Sequence, residues 1–516
     1  MSAAPTRPSL GIVSLAVTAT LAAAVLAGVA GGLLKVVEPA GDAWIAFLRG
    51  SRDLFGWAPE AWVRWTLGSL GIVGAITGGM VLVQRVFVNA NGTGIPQTMA
   101  AIAIQPGPAR GRVLNGSLAF GKSLLLVVGI LAGLTIGREG PTVHLAACLF
   151  WLLWTRVPMP RNWSRTGLLT AAGAAGIAAA FNTPIAGLIF AIEEMSRRFN
   201  KNDAPLLFRS ALLSTAAVFA VGWFVPNLGG EPGELIRSYE DAMFYGPIAP
   251  PLPTADANLL GQIAAVLLLA IPAGLMGGLF ATLVARSVTF VGGTLARRRR
   301  HVWVFGLGFG VLLSVLMLAS GGLSMGSGHD QTLRMLHGEF DPPTWFALPK
   351  ALGSWACLAS GVPGGLFDPS LTVGAGLGHA LHGPVESIVG SIDVRLLMLV
   401  MMAAYFGGVT QSPITAAVIC AEMTGGWSLL LLLAPAALLA SAASRLVCPV
   451  PLYLWLSQSF LKLLMADPSG QIDRGEIADL DLPNIPEVEA ALEGAPTEPT
   501  WISTAEQRGA ERESDS

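Results

Sequence analysis

Long stretches without a charged residue alternate with short polar segments along the chain. Each of the long stretches has about 20 residues or more and contains no Asp, Glu, Lys or Arg; they are 8–34, 65–84, 166–192, 210–230, 257–285, 301–329, 396–421 and 423–444. A transmembrane helix needs about 20 mostly apolar residues, and charge at mid-membrane is costly. The pattern therefore predicts a polytopic, all-α membrane protein.

A second class of charge-free stretches is shorter. These cover 123–137, 140–155, 351–367, 369–385 and 446–461. They are too short to cross a bilayer straight. We therefore expect broken or tilted helices whose ends meet inside the protein.

Composition agrees with the hydropathy pattern. The 516 residues are 53% hydrophobic and only 12% charged, with a mean hydropathy of +0.61, whereas soluble domains carry roughly 25% charged residues. A soluble globular protein is excluded. The first stretch begins after Arg7, and its length and the many spans that follow favour a retained helix over a cleaved signal peptide.

Charge near the apolar stretches predicts orientation. Basic residues cluster at 156–165, at 197–201 and in the run 297–300, just outside apolar segments. By the positive-inside rule these loops and both termini are cytoplasmic. The last 51 residues, 466–516, hold 13 acidic and 3 basic residues, which is typical of a disordered, solvated tail.

An internal repeat divides the body. Glu139 and Asp368 are 229 positions apart; the Pro-Ile pairs that start at 184 and 413, and the acids at 193 and 422, have the same spacing. GTGIPQT at 92–98 returns as GSGHDQT at 326–332. We predict a first repeat with the N-terminal segment at 1–235, a proline-rich loop at 236–256, and a second repeat at 257–465. Transporters are often built from inverted repeats with broken helices around a midplane site.

Three glycine-rich turns run into prolines. Their residues are Gly92, Thr93, Gly94 and Pro96; Gly137, Arg138, Gly140 and Pro141; and Gly365, Leu366, Phe367 and Pro369. Proline is favoured at the start of a helix, and helix starts present free N–H groups and partial positive charge. Three such turns in one chain predict an anion site without a full cation, which suits conduction. Thr93 adds a hydroxyl, although it also suits an N-cap, and Asp368 is expected to be the N-cap of its helix.

Buried acids suggest proton chemistry. Glu139 lies between two short charge-free stretches, and Glu193 and Glu194 close the stretch 166–192. Carboxyl groups in a low dielectric hold protons more readily, so Glu139 would occupy the anion's place when ionised and leave it when protonated. The alternative for Glu193 and Glu194 is an interfacial pair bound to arginines.

Other chemistries have little support. Ser324 fits the pattern G-x-S-x-G of hydrolases, but such matches arise by chance in a chain with 62 glycines. No zinc-protease or P-loop motif occurs, and the four cysteines suit buried apolar positions. We expect no enzyme activity, metal or organic cofactor. A scaffold without ion flux is a further alternative.

These motifs resemble the CLC family of chloride channels and proton/chloride antiporters. GTGIP is similar to the family's GSGIP, GREGP to its GK/REGP, GGLFDP to its GxFxP, and Pro451-Leu452-Tyr453 to its late tyrosine motif. The similarity runs from about Gly92 to Tyr453 with matching order and spacing.

The resemblance implies a homodimer in the plasma (inner) membrane if the source is bacterial, with a pore in each subunit built from two inverted repeats. It implies that hydroxyls of Thr93 and Tyr453 and the amides of Leu366 and Phe367 hold chloride. Glu139 matches the external gating glutamate, and Glu194 matches the internal proton glutamate of antiporters. Both acids favour proton/chloride exchange across the lipid bilayer; the alternative is a passive voltage- or proton-gated chloride channel of the same fold.

Three departures qualify the resemblance. Thr93 replaces the usual serine but keeps a hydroxyl, so chloride remains the expected anion. Asp368 places a carboxylate beside the amides of Leu366 and Phe367, and we expect it to point away. About 60 residues follow Tyr453, so we do not expect the paired regulatory domains of many relatives, and neither nucleotide nor nucleic acid is expected as a partner.

Overall fold

The computed structural model describes residues 10–49, 59–104, 108–157, 165–197, 200–224 and 259–465. The predicted loop 236–256, the tail 466–516 and part of the basic segments lie outside these residues. Within them the regular structure is helical, apart from one isolated bridge between two loops. The all-α prediction is confirmed.

Ten helices of the described residues belong to the first half of the chain. They are α1 (Leu10–Val36), α2 (Glu38–Arg49), α3 (Pro59–Arg85), α4 (Ile95–Ala103), α5 (Pro108–Gly111), α6 (Gly116–Leu131), α7 (Glu139–Trp154), α8 (Arg165–Phe181), α9 (Pro184–Phe190, continued by a π-helix over Ala191–Ser196) and α10 (Ala204–Phe224).

The second half repeats much of this order. Its helices are α11 (Leu259–Arg297), α12 (Val302–Ala319), α13 (His329–Leu336), α14 (Ala347–Ser360), α15 (Phe367–Val389), α16 (Val394–Thr410), α17 (Pro413–Met423), α18 (Leu430–Ser444) and α19 (Leu452–Met465), with 3-10 turns at Arg299–His301 and Trp427–Leu429.

Seven helical segments of the described residues are long and apolar enough to cross a membrane. The pair α15 and α16, bent by 119° at its break, would be an eighth. The amphipathic helix α2, with Glu38 and Arg49 at its ends, was not predicted because charges interrupt its apolar pattern.

Two predicted spans, 166–192 and 396–421, are each two helices. The chain breaks after α8 at Asn182 and after α16 at Gln411, and both residues have φ of 59°. Pro184 and Pro413 then open α9 and α17. The prediction of single spans was wrong because proline and a left-handed residue end a helix without adding charge.

The predicted half-helix 369–385 is also longer than expected. The charges at Asp368 and Glu386 delimit the apolar stretch, but α15 continues through both over 23 residues. At about 1.5 Å per residue it is long enough to cross a bilayer.

Helix α16 forms the centre of the largest apolar cluster. Every side chain from Leu396 to Thr410 is buried, and α16 packs against α11, α15 and α18. Glycines let α16 approach α11 closely. A side chain at Gly408 would not fit, because its Cβ would lie 2.8 Å from the Cα of Gly274. Such contacts are typical of helix packing in membranes.

The two halves contact each other reciprocally. The Glu422 carboxylate accepts hydrogen bonds from the amides of Ile185 and Ala186 at the start of α9, at 3.2 and 2.8 Å. Glu193 does the same for α17, accepting from the amides of Ile414 and Thr415 at 3.1 and 2.7 Å. This exchange is what a two-fold relation between inverted repeats produces.

The contacts of Glu193 bear on the alternative of an interfacial acid paired with arginines. Among the described residues, the partners of its carboxylate are backbone amides and the Thr415 hydroxyl, at 2.7 Å. Helix starts offer unpaired N–H groups that a carboxylate satisfies well.

Replacing either capping acid will loosen the junction between repeats. We expect Glu422→Ala and Glu193→Ala each to lower the free energy of unfolding by on the order of 2 kcal/mol, because two backbone amides lose a charged acceptor. The measurement is the thermal transition of purified protein in detergent. Glu386→Ala, on an exposed part of α15, is the control, and an equal loss in the control would contradict the capping role.

Candidate functional site

The GTGIP loop stands at the start of α4. Gly94 has φ of 105°, and its amide donates to the side-chain oxygen Oε1 of Gln97 at 3.0 Å. A Cβ at Gly94 would lie 2.6 Å from the carbonyl oxygen of Gly140, so only glycine lets the first and second motifs pack together. The motif opens a helix, as predicted.

Thr93 is held in this loop with its hydroxyl buried. The residue is 4% exposed, and its Oγ1 has no hydrogen-bond partner among the described residues. Gly94, not Thr93, is the N-cap of α4. The hydroxyl therefore remains available to donate to a bound group.

Two buried lysines were missed by the sequence analysis. Lys122 Nζ donates to the carbonyls of Asn91 and Gly92 at 3.3 and 3.2 Å. Lys350 Nζ donates to those of Met325 and Gly326 at 2.6 and 3.3 Å. Each braces a glycine loop of its own repeat. The signal was present, since each lysine directly precedes a short charge-free stretch.

Arg138 braces the GREGP loop instead of facing an anion. Its side chain is 1% exposed and forms an ion pair with Glu38, at the start of α2. It also donates to the carbonyl of Ala180 at 3.2 Å. These contacts fix the start of α7 against α2 and α8.

Glu139 is the first residue of α7 and is completely buried. No donor of the described residues makes a hydrogen bond of normal geometry to either carboxylate oxygen. A Cβ at Gly137 or at Gly365 would overlap this carboxylate. The side chain is therefore folded back over both glycine loops, between the two repeats.

The same two loops are joined by backbone. The Gly137 amide donates to the Gly365 carbonyl at 2.9 Å, and the Gly365 amide donates to the Gly137 carbonyl at 2.5 Å. This antiparallel bridge stabilises non-helical backbone inside a membrane protein, because each loop provides hydrogen-bond partners for the N–H and C=O groups of the other.

The third motif opens α15. Leu366 is its N-cap and Phe367 its first residue, and both are buried. Amides at a helix start have no acceptor within the helix. The Phe367 ring lies 4.6 Å from that of Phe406 and 6.1 Å from that of Tyr453, measured between centroids.

Tyr453 enters this aromatic cluster from the start of α19. Its side chain is fully buried, and its hydroxyl has no hydrogen-bond partner among the described residues. The hydroxyl lies within electrostatic range of both Glu139 and Glu194. Helix α19 packs against α4, the helix that follows Thr93.

Glu194 lies in the π-helix that follows α9 and is 1% exposed. Its carboxylate accepts a hydrogen bond from the Ser412 hydroxyl at 2.5 Å. It also binds Arg197 at 3.2 Å, and the Arg197 side chain is 35% exposed. Arg197 therefore links the buried Glu194 to the protein surface. The contact with Ser412 joins residues 218 positions apart and could not be predicted from the sequence.

Asp368 does not cap its helix. It is the second residue of α15, its side chain is 1% exposed, and neither of its oxygens accepts a hydrogen bond of normal geometry. Instead its carboxyl group reaches that of Glu139 within hydrogen-bonding range. The expectation that it caps and points away was wrong, because the facing repeat brings Glu139 over the start of α15.

Ser324 has the surroundings of a structural turn. Its hydroxyl receives a hydrogen bond from Ser320 at 3.1 Å, and its carbonyl accepts one from Thr135 at 2.6 Å. A nucleophilic serine needs a general base within hydrogen-bond reach. Its contacts give the hydrolase alternative no support.

Comparison with known families agrees with this architecture. A profile described as "Voltage gated chloride channel" matches residues 69–445, well over half of the chain. The chain belongs to the voltage gated chloride channel family. The CLC resemblance of its motifs is thereby confirmed.

Several proteins resemble this family member over most of its length. The H(+)/Cl(−) exchange transporter ClcA of Salmonella typhimurium is 28% identical over 475 residues, which cover 90% of this chain and 92% of that protein. ClcA of Vibrio cholerae (strain ATCC 39541) is 28% identical over 396 residues, covering 74% and 77%.

Solved structures share the fold. A slow cyanobacterial Cl−/H+ antiporter gives a TM-score of 0.67 at 21% identity, covering 86% of this chain and 98% of that one. A CLC-type fluoride/proton antiporter gives a TM-score of 0.61 at 19% identity with the same coverage. The chain therefore has the helical membrane fold of this family.

The contact between Gly365 and Glu139 can be tested directly. We expect Gly365→Ala to reduce ion flux at least tenfold, because the new methyl group has no room against Glu139 and would break the backbone bridge to Gly137 that holds the starts of α7 and α15 together. Flux from liposomes is the measurement. Gly383→Ala, in the helix that follows Gly365, is the control, since a Cβ there meets nothing within 4 Å; equal fluxes in both variants would contradict the described packing.

Proposed function

We propose that this chain exchanges chloride for protons across a membrane, driven by either gradient. The observation that carries the proposal is that two buried carboxyl groups, Glu139 and Glu194, lie within electrostatic range of the Tyr453 hydroxyl, which has no hydrogen-bond partner among the described residues. A hydroxyl donor supplies an anion contact, and buried acids supply proton binding.

The anion contacts come from three helix starts. Thr93 and Tyr453 would donate hydroxyl hydrogens, and the amides of Leu366 and Phe367 would donate from the first turn of α15. None of these groups carries a full positive charge, so chloride is held by dipoles and can leave again. The buried cations Lys122 and Arg138 are directed to carbonyls and to Glu38.

Glu139 would act as the gate of the anion path. When ionised, its carboxylate competes with chloride for the same dipolar donors. When protonated, it loses that attraction and moves aside, so that anion passage depends on a proton.

Glu194 would be the proton acceptor on the other side. Arg197 leads from Glu194 to the surface. Protons and anions can therefore share the centre of the protein while using different exits.

The relatives support exchange over the channel alternative. ClcA of Salmonella typhimurium is named an H(+)/Cl(−) exchange transporter, and two structural neighbours are described as antiporters. The alternative of a passive chloride channel keeps the same anion path but needs no role for Glu194.

Four further features belong to the proposal. The homodimer with one pore per subunit and the inner membrane, if the source is bacterial, rest on the resemblance. The cytoplasmic termini rest on the basic loops, and the division into repeats at 236–256 rests on the internal repeat. The transporter would need no ATP, metal or organic cofactor, and would bind neither nucleotide nor nucleic acid. Cross-linking of purified protein and protease accessibility of tagged termini test the assembly and the orientation.

Proton coupling decides between the two functions. In liposomes with a chloride gradient and clamped membrane potential, chloride movement should drive protons uphill, followed as external pH. We expect Glu139→Gln and Glu194→Gln to abolish proton movement while chloride still passes, because neither amide binds a proton near neutral pH.

The control and the contrary outcomes are clear. Glu386→Gln, an exposed acid on α15, should leave coupling unchanged. Chloride flux without proton movement in the unaltered protein would establish the channel alternative. Intact coupling in Glu139→Gln would overturn the role given to that residue.

A further inference from the structure

Asp368 is a buried acid that the proposed mechanism does not use. Its side chain is 1% exposed and lies at the first turn of α15, next to Phe367. A full charge here would repel chloride from the amides of Leu366 and Phe367. The contact of Asp368 with Glu139 bears on how this charge is accommodated.

Asp368 and Glu139 face each other. The two carboxyl groups are within hydrogen-bonding range, and neither receives a hydrogen bond of normal geometry from another group of the described residues. Two carboxylates in contact repel strongly in a low dielectric, but one shared proton turns the repulsion into a hydrogen bond.

Three neighbouring groups lie within electrostatic range of the pair. Arg138 acts on both carboxyl groups, and its side chain also forms an ion pair with Glu38. Lys35 on α1 lies within electrostatic range of Asp368, and its Nζ has no hydrogen-bond partner among the described residues. From α19, Tyr453 lies within electrostatic range of Glu139.

His329 approaches the pair from the start of α13. Its Nδ1 lies 3.9 Å from Asp368 Oδ1, and its side chain is 8% exposed. It also lies within electrostatic range of the exposed Asp42 on α2. A surface recess is lined by Glu38, Asp42, Gly326 and Ser327. His329 follows Ser327 by two positions in the chain.

We propose that Glu139 and Asp368 bind one proton as a pair, and that His329 carries this proton between the pair and the recess. In the inward step, the His329 imidazolium gives its proton to the Asp368 carboxylate and becomes neutral. Asp368 then donates the proton to the Glu139 carboxylate and is left ionised. The reverse sequence releases the proton, so no other reactant is needed.

The inference deepens the proposed function, since it assigns a proton route to the gate at Glu139. With one shared proton the two carboxyl groups together carry a single negative charge instead of two, which weakens their repulsion of chloride at the amides of Leu366 and Phe367. A coupled pair of carboxyl groups releases its last proton at a higher pH than a single carboxyl group in the same place would.

The pH dependence of chloride flux in liposomes tests the pair. We expect flux to fall at alkaline pH as the pair loses its proton, and Asp368→Asn to move the midpoint of that fall down by about one pH unit. Asp368→Glu, which restores a carboxyl group, should move it back toward the original midpoint. Asp330→Asn, an acid next to His329 whose side chain is about half exposed, is the control and should not change the profile.

His329 has its own test. His329→Ala should slow proton movement several-fold at high pH on the recess side, and added imidazole should restore much of the rate. His382→Ala, whose histidine binds the carbonyl of Ile392, should show neither the loss nor the rescue. Rescue by imidazole is not expected if His329 only packs.

Each result is decisive. Superimposable pH profiles for Asp368→Asn and the unaltered protein would overturn the pair, and equal proton rates in His329→Ala would overturn the carrier role. If Asp368→Asn fails to fold, the Asp368→Ser variant provides the same comparison. Because the first readout is chloride flux alone, it tests the pair even if proton coupling, and with it the antiporter function, is absent.

Discussion

The backbone bridge between Gly137 and Gly365 is the contact on which the site depends. Non-helical backbone inside a membrane protein requires partners for its N–H and C=O groups. Here the two glycine loops supply them to each other, and the starts of α7 and α15 are thereby held side by side. Without this exchange neither helix could begin at that depth, and neither set of helix-start amides could face a shared site.

The same constraint operates at a second junction. The starts of α9 and α17 follow breaks in longer apolar stretches, and each is capped by a glutamate of the other repeat. Each half therefore supplies the acceptors that the broken helices of the other half lack. Within the described part of the chain, the hydroxyls of Thr93 and Tyr453 are buried and have no hydrogen-bond partner, so both can bind a passing ion.

Three of the buried cations bind the loops of the site. Lys122, Lys350 and Arg138 are directed to carbonyls or to an acid, and they hold the loops in place. Among the described residues Lys35 differs, because it lies within electrostatic range of Asp368 and its Nζ has no hydrogen-bond partner. The acids Glu139, Asp368 and Glu194 are buried near the proposed anion contacts.

The sequence by itself determined the helical membrane class, the repeat, the three helix starts and the acids of the site. These features are local: apolar length, glycine and proline chemistry, and the position of a charge within an apolar run. It did not reveal that 166–192 and 396–421 each break, because a proline break leaves hydropathy unchanged. Only the tertiary structure decided that Asp368 faces Glu139, that Glu193 caps α17, and that Ser412 contacts Glu194. Each of these contacts joins residues more than 200 positions apart, and their pairing is set by how the two repeats pack, which no local pattern records.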